Sequence, residues 1–360
     1  MRIMIIFDTW SSLNEGEGNI IDELLNSSYE VVCMSPGKGT FNRHANDYKK
    51  LMIYNIPQSL RKHNLNNLKF VIHCLMAYHI LKPDKILLYL NKQTTVLSLV
   101  LRFFRNAHVS FIIGSLNFLN GKKGFLYRMA FKFILSHSET VFFVYKGDYD
   151  LIDRYKLGCK KQAVVLKSHG VDLDAFLRYP LPKTDLVYMA MPLLCCHGVR
   201  CFIETARLVR KKYPKVRFLL SGTFVDDPRV LTAAELDEAC ESGAIYYIEE
   251  VNDIRPYLEV CSIFMQPNLS VREGYITEAE AAGRPILASA HPVNRGLLVE
   301  GYNGFTLPVH DAKKWAEKIM LLIENKQLKT NMADYSRELC VRWHDRRKVN
   351  KIITEKMKNN

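Results

Sequence analysis

Carboxylates in loops and glycines ahead of helices are the groups in this chain best placed to do chemistry. The densest segment is Pro267–Ser289, PNLSVREGYITEAEAAGRPILAS. Thr277 and Glu280 have the T-x-x-E spacing of a capping box, Gly283 stands where a helix would stop, and Pro285 would open the next strand. That pattern predicts a helix over 277–282 and gives Glu280 a purely structural role. Glu278 falls in the first turn, where a carboxylate complements the helix dipole. Glu273 lies in the preceding loop with no evident structural purpose, which makes it the better functional candidate. Near the N-terminus, Thr9–Asn19 carries Gly16 and Gly18 between a strand and a helix. Glycines there let backbone approach an anion at a helix N-terminus, although the full G-x-G-x-x-G pattern is absent and a plain glycine turn is an equal alternative. Asp148-x-Asp150 and Asp172-x-Asp174 match the D-x-D metal pattern, but the second pair stands where aspartates cap helices, and no metal is predicted. The nine cysteines are odd in number and form no C-x-x-C pair. Cys195-Cys196-His197 lacks a second ligand pair for tetrahedral zinc, so the thiols read as structural.

The elements that must position these groups alternate throughout. Strands are predicted at 2–7, 30–34, 85–89, 109–113, 140–144 and 163–166, separated by amphipathic helices at 20–26, 65–81, 94–104 and 124–135. The rhythm restarts with strands at 186–189, 217–220, 245–248, 263–266, 285–288 and 304–307, with helices at 199–212, 254–260, 277–282 and 311–325. Strand and helix in turn imply an α/β chain with two doubly wound Rossmann-like sheets, whose ligands sit beyond the strands' carboxyl ends and so in a cleft between the two domains. With 360 residues there is room for two domains. The two prolines of Tyr179-Pro-Leu-Pro-Lys-Thr mark the joint. This gives a first domain over 1–183, a second over 184–335, and a C-terminal helix within 336–360 returning to the first.

Charge divides the halves. The formal net charge is +13, of which residues 1–183 carry +11 (25 Lys and Arg against 14 acids). Between Val31 and Ser138 there are 16 basic residues and two acids, Asp47 and Asp84. Such a field attracts polyanions. No nucleic-acid recognition motif accompanies it, so nucleic acid is not expected as a partner. Residues 121–137, GKKGFLYRMAFKFILSH, mix bulky apolar with basic side chains and suit the headgroup layer of an anionic bilayer; the plainer reading is a half-buried core helix whose lysines snorkel. No apolar run approaches the ~20 residues of a spanning helix and the N-terminus reads as a strand, so a cytoplasmic chain, peripheral at the inner face of the membrane, is expected.

Several segments, in order, resemble one family. They are Ser168-His-Gly-Val-Asp-Leu-Asp-Ala-Phe176, His197-Gly-Val-Arg-Cys-Phe-Ile-Glu-Thr-Ala206 and Tyr213-Pro-Lys-Val-Arg-Phe-Leu-Leu-Ser-Gly222, followed by Arg272-Glu-Gly274, Glu278-Ala279, Gly283-Arg-Pro285 and Asn303-Gly304. The chain resembles the retaining, nucleotide-sugar-dependent glycosyltransferases of bacterial family 4, which have the two-domain GT-B fold. Ile112–Phe118 and Val141–Phe143 look like the branch that builds O-antigen and capsular repeats on polyprenyl-diphosphate lipids.

The resemblance implies a transferase moving a sugar from a nucleotide-sugar, a UDP-sugar by expectation, to a lipid-linked saccharide, with no cofactor and no metal. It places Glu278 on the nucleotide ribose and assigns Glu273 to the donor sugar as the catalytic carboxylate. Arg272, His197, Gly198, Gly274, Gly16 and Gly18 complete the implied nucleotide-sugar site. Two departures stand out. The family separates its two acids by seven residues; here four separate Glu273 from Glu278, so either the loop is rearranged or Ser270 stands where the first acid should be. The Arg and Lys that neutralise the diphosphate are replaced by Pro192 and His197, leaving Arg200, Arg272 or a helix dipole as substitutes. These departures keep open a catalytically inactive GT-B subunit of a polysaccharide-assembly complex, and more remotely a sugar-nucleotide epimerase.

Overall fold

The computed structural model describes residues 1–7, 18–36, 50–56, 63–91, 94–104, 107–114, 116–120, 124–194, 198–224, 231–249, 251–267, 274–291, 294 and 296–359. The chain separates into two compact units, Met1–His169 with Arg346–Asn360, and Gly170–Asp345.

The first unit holds β1 (Arg2–Ile6), β2 (Glu30–Pro36), β3 (Leu51–Ile56), β4 (Lys85–Tyr89), β5 (Val109–Ile113), β6 (Val141–Phe143) and β7 (Ala163–Val165). They form one parallel sheet in the order β3-β2-β1-β4-β5-β6-β7. Its central strands are covered on both faces and therefore read as unbroken apolar runs: Ile3, Met4, Ile5 and Ile6 are all buried. Helices α1 (Gly18–Asn26), α2 (His63–Leu81), α3 (Thr95–Leu101), α4 (Gly124–Leu135) and α5 (Lys146–Arg154) connect the strands, and α12 (Arg346–Asn359) packs on α1. Met4, Ile6, Ile86, Leu88 and Phe111 share a core with Cys74 of α2, Leu97 of α3, Phe131 of α4 and Ile152 of α5. Alternation along the strands thus puts α2–α5 on one face of this sheet.

The second unit holds β8 (Leu186–Leu194), β9 (Arg217–Phe224), β10 (Tyr246–Ile248), β11 (Ile263–Gln266), β12 (Ile286–Ser289) and β13 (Gly304–Leu307), parallel, in the order β10-β9-β8-β11-β12-β13. On one face α6 (Gly198–Lys212), α7 (Ala233–Glu241) and α10 (Ala312–Glu324) bury Phe202, Leu236 and Trp315. On the other, α8 (Arg255–Val260) and α9 (Gly274–Ala281) bury Leu258, Ile276 and Ala279. Helix α11 (Lys326–Leu339) runs into a π-helical turn, Cys340–His344. Among the described residues no helix is long and apolar enough to cross a membrane.

Two expectations need correction. The helix over 277–282 starts earlier, at Gly274, so Thr277 lies inside it and its hydroxyl donates to Gly274 O at 3.0 Å; no capping box forms there. The capping box among the described helices is at α7, where Thr232 Oγ1 accepts from Glu235 N at 3.3 Å and Thr232 N donates to Glu235 Oε2 at 2.8 Å. The boundary expected at 183/184 also moves, because 170–183 is hydrogen-bonded into the second unit. The Arg284 guanidinium donates to Tyr179 O at 2.9 Å and Pro180 O at 3.2 Å, and Arg337 donates to Phe176 O at 2.9 Å. Likewise 336–345 stays with the second unit, and the return to the first begins at Arg346. The chain leaves the second unit at neighbouring points, Val171 N donating to His344 O at 2.7 Å.

Candidate functional site

In each sheet the strand order reverses once, between β1 and β4 and between β8 and β11. At such a point the connections leave in opposite directions and open a crevice at the carboxyl ends. In the second unit that crevice is flanked by the starts of two helices: α6 opens at Gly198, four residues beyond β8, and α9 opens at Gly274, eight beyond β11. A helix start presents backbone N–H groups and the positive end of a dipole to an anion. Glu278 is half-buried on α9 and turns its carboxylate back to the helix start, Oε1 lying 3.7 Å from where a Cβ on Gly274 would be. The arrangement combines anion-binding backbone with a carboxylate able to accept from hydroxyls.

The structure thus brings Gly198, Gly274 and Glu278 to one strand-order reversal. Gly18 opens α1 after β1, at the corresponding reversal of the other unit. Glu273, Arg272, His197 and Gly16 lie outside the described residues. Pro192 belongs to β8, at a register shift between Ala190 and Leu193, a place where a strand tolerates the missing N–H. Arg200 is engaged elsewhere: its guanidinium donates to both carboxylate oxygens of Glu235, at 3.0 and 2.9 Å, and that pair holds the Glu235 carboxyl down at about 2.

Helix α9 is anchored from beneath by a network that sequence inspection misassigned. Glu280, read as a cap, is fully buried; its Oε1 accepts from Asn303 Nδ2 at 2.9 Å and its Oε2 meets His344 Nδ1 at 2.7 Å. Burial raises the Glu280 pKa. Cys340 Sγ contacts Thr277 O at 3.6 Å, and the Glu280, Cys340 and His344 donor atoms lie within 4.8 Å of one another. Gly283 closes α9 at φ +70°, a conformation suited to glycine, with Arg284 N reaching Ala279 O at 2.9 Å. Gln266, which the sequence did not single out, is buried at the carboxyl end of β11, and among the described residues its Oε1 has no hydrogen-bond partner. Its signal was a polar residue ending an apolar strand beside the reversal.

The D-x-D pairs have local structural roles. Asp172 Oδ1 accepts from Asp174 N and Ala175 N at 3.0 and 3.2 Å, an Asx turn. Asp148 is buried and accepts from Leu116 N at 2.9 Å. Desolvation pushes its pKa up to about 6. Because the folded value is raised, the associated stabilisation is complete below the ordinary aspartate range (~3.9) and lost as pH rises through about 6. Asp148→Asn keeps an acceptor for Leu116 N without the charge. It is expected to remove most of a decline in unfolding free energy of about 3 kcal/mol between acid and neutral pH. An unchanged pH profile in urea titrations would contradict this.

Comparison with known proteins gives the class first. The chain overlays HepE of Anabaena, solved in complex with UDP, with a TM-score of 0.79 over 100% of both chains at 16% identity. It overlays sucrose-phosphate synthase from Thermosynechococcus elongatus with a TM-score of 0.77, over 100% of this chain and 98% of that one, again at 16% identity. The architecture is the GT-B fold. Residues 186–325 match the family described as Glycosyl transferases group 1. N,N'-diacetylbacillosaminyl-diphospho-undecaprenol alpha-1,3-N-acetylgalactosaminyltransferase of Campylobacter jejuni is 29% identical over 226 residues, 58% of this chain and 56% of that protein. Putative glycosyltransferase EpsD of Bacillus subtilis is 25% identical over 195 residues, 53% of this chain and 48% of that protein. The chain spans about half the length of the curated relatives it matches. Residues 186–325 are thus similar to glycosyltransferases of this kind, and the whole chain has the GT-B fold.

Proposed function

We propose that this chain transfers a sugar, with retention, from a UDP-sugar to a lipid-linked saccharide in surface-polysaccharide assembly, at the cytoplasmic face of a membrane and without a metal. The observation that carries the reading is the pair of helix starts, Gly198 and Gly274, at the strand-order reversal, with the Glu278 carboxylate folded back over the second. HepE, which shares the fold, was solved in complex with UDP, and the Campylobacter relative is named for a diphospho-undecaprenol acceptor.

In this reading the backbone N–H groups of the two helix starts and the Arg272 guanidinium receive the charge that develops on the departing diphosphate. Glu278 accepts from the ribose hydroxyls, and Glu273 holds the donor sugar while the acceptor hydroxyl attacks on the leaving group's own face. With Arg200 committed to Glu235, Arg272 is the arginine left for the diphosphate among the three substitutes the sequence offered.

The test pairs binding with transfer, both run in EDTA. Glu278→Gln removes a charge-assisted contact of ~1.5–3 kcal/mol, so UDP affinity should fall about 10- to 150-fold by calorimetry. Glu273→Gln should leave UDP affinity nearly intact and lower turnover onto a polyprenyl-diphosphate-saccharide, since its contact matters mainly in the transition state. Unaltered UDP affinity in Glu278→Gln would sink the assignment of the site. Transfer restored only by added manganese or magnesium would sink the metal-free chemistry.

A further inference from the structure

Ten of the 21 large apolar side chains exposed on the described chain lie on or beside three consecutive helices of the first unit. On α2 the stripe Leu68, Ile72, Met76 and Ile80 recurs every fourth residue and is 40–77% exposed. On α4, Phe125, Met129 and Phe133 keep the same spacing, with Leu126 beside them, at 44–65% exposed. Between the two, Val96 of α3 is 52% exposed and Phe103, just past its end, 79%. Residues four apart lie on one side of a helix, so each stripe is a continuous ridge.

The ridges share one surface. Helices α2, α3 and α4 cover the same face of the first sheet and pack side by side, and Phe104 touches the rings of Tyr78 and His79 on α2. Their inner residues, among them Cys74, Leu97 and Phe131, fill the core, so the exposed ridges are not needed to hold the helices down. Apolar patches this concentrated on a folded chain mark an interaction surface.

Charge selects the occupant. Between Asp84 and Glu139 the sequence holds no acidic residue, and α2 holds none either. Lys69 and Lys132 are exposed among the ridges, and Lys122-Lys123 directly precedes α4. A second copy docking by this face would set like charges against each other with no carboxylate to pair them. An anionic bilayer offers phosphates to the lysines and an acyl boundary to the ridges. We propose that the outer surface of α2, α3 and α4 is a membrane-docking face that lies flat in the headgroup region of an anionic bilayer. It deepens the membrane association proposed above, from one amphipathic helix to a three-helix surface.

Vesicle flotation of the full chain, without donor or acceptor, tests the surface separately from the transfer chemistry. The probes are phosphatidylcholine vesicles with and without phosphatidylglycerol. The wild-type chain should float with the anionic vesicles, less so as salt rises. Phe125→Asp with Met129→Asp, and separately Ile80→Asp, should each weaken binding by at least about tenfold per ridge residue replaced. Lys132→Glu should weaken binding to anionic vesicles alone. Val260→Asp, at an exposed apolar residue of the second unit, should bind as wild type. Circular dichroism confirms that each variant is folded. The proposal is overturned if the ridge variants float as wild type, if wild type ignores anionic vesicles, or if wild type is a stable dimer that the ridge substitutions dissociate. UDP binding with no flotation removes the docking face and leaves the nucleotide site standing; flotation without UDP binding does the reverse.

Discussion

His344→Ala is expected to cost about 3–5 kcal/mol of stability, a large share of what a unit of this size has. His344 and Glu280 are both fully buried and meet at 2.7 Å. Removing the imidazole leaves a carboxylate with Asn303 Nδ2 as its remaining partner, in a site where burial already raises its pKa. The loss therefore reflects an uncompensated buried acid more than a missing attraction. For the same reason Glu280→Met with His344→Leu should recover most of it, because replacing both partners of a buried polar contact by apolar groups of similar volume is often nearly neutral. Urea midpoints for the two single variants and the double one close the cycle. Additive losses, with the double variant the least stable, would show that the pair does not act as a unit. Since Glu278 stands two residues before Glu280 on the same short helix, the single variants should also weaken UDP binding at temperatures where they remain folded.

That pair shows where the sequence stops being legible. The strand–helix alternation was readable because central parallel strands are buried on both faces and so stand out as apolar runs. Strand β3 was not: its short apolar run, Leu51–Tyr54, is interrupted by Asn55, and as an edge strand it leaves Met52 43% and Tyr54 49% exposed. Helix α5, KGDYDLIDR, has only two inward residues buried, Asp148 and Ile152, too few to show a period. Thr277 and Glu280 have capping-box spacing, but that spacing arises equally when a helix starts three residues earlier and its glutamate faces a histidine 64 positions away. Nothing local announces such a partner. The prolines at 180 and 182 read as a linker because they lack N–H groups, yet the carbonyls of Tyr179 and Pro180 are what Arg284 holds. Of the site, Gly198 could be placed because a glycine at a helix start is a local signal, whereas Gly274 and Glu278 were placed by the resemblance, the helix itself beginning three residues before Thr277.

Gly304→Ala is expected to be among the most damaging single methyl additions in the chain, at about 3 kcal/mol or more. Gly304 opens β13 opposite Ile286 of β12, and a Cβ there would stand 2.0 Å from Ile286 O. That atom is backbone of the paired strand and cannot rotate away, so β13 would have to move from β12 and stretch the 3.1 Å bond between Ile286 N and Asn303 O. Asn303 is also the donor to Glu280, so the displacement reaches the buried pair beneath α9. Gly301 provides the contrast. It has φ +77° and nothing within 4 Å of an added methyl, so Gly301→Ala should cost only the backbone strain of ~1–2 kcal/mol. Thermal or urea unfolding of the two variants separates collision from conformation. Equal losses would mean that β12 and β13 part easily, and Asn303 would then be free of the coupling argued for it. If the coupling holds, Gly304→Ala combined with His344→Ala should be less damaging than the sum of the two, because the first has already loosened what the second leaves unpaired.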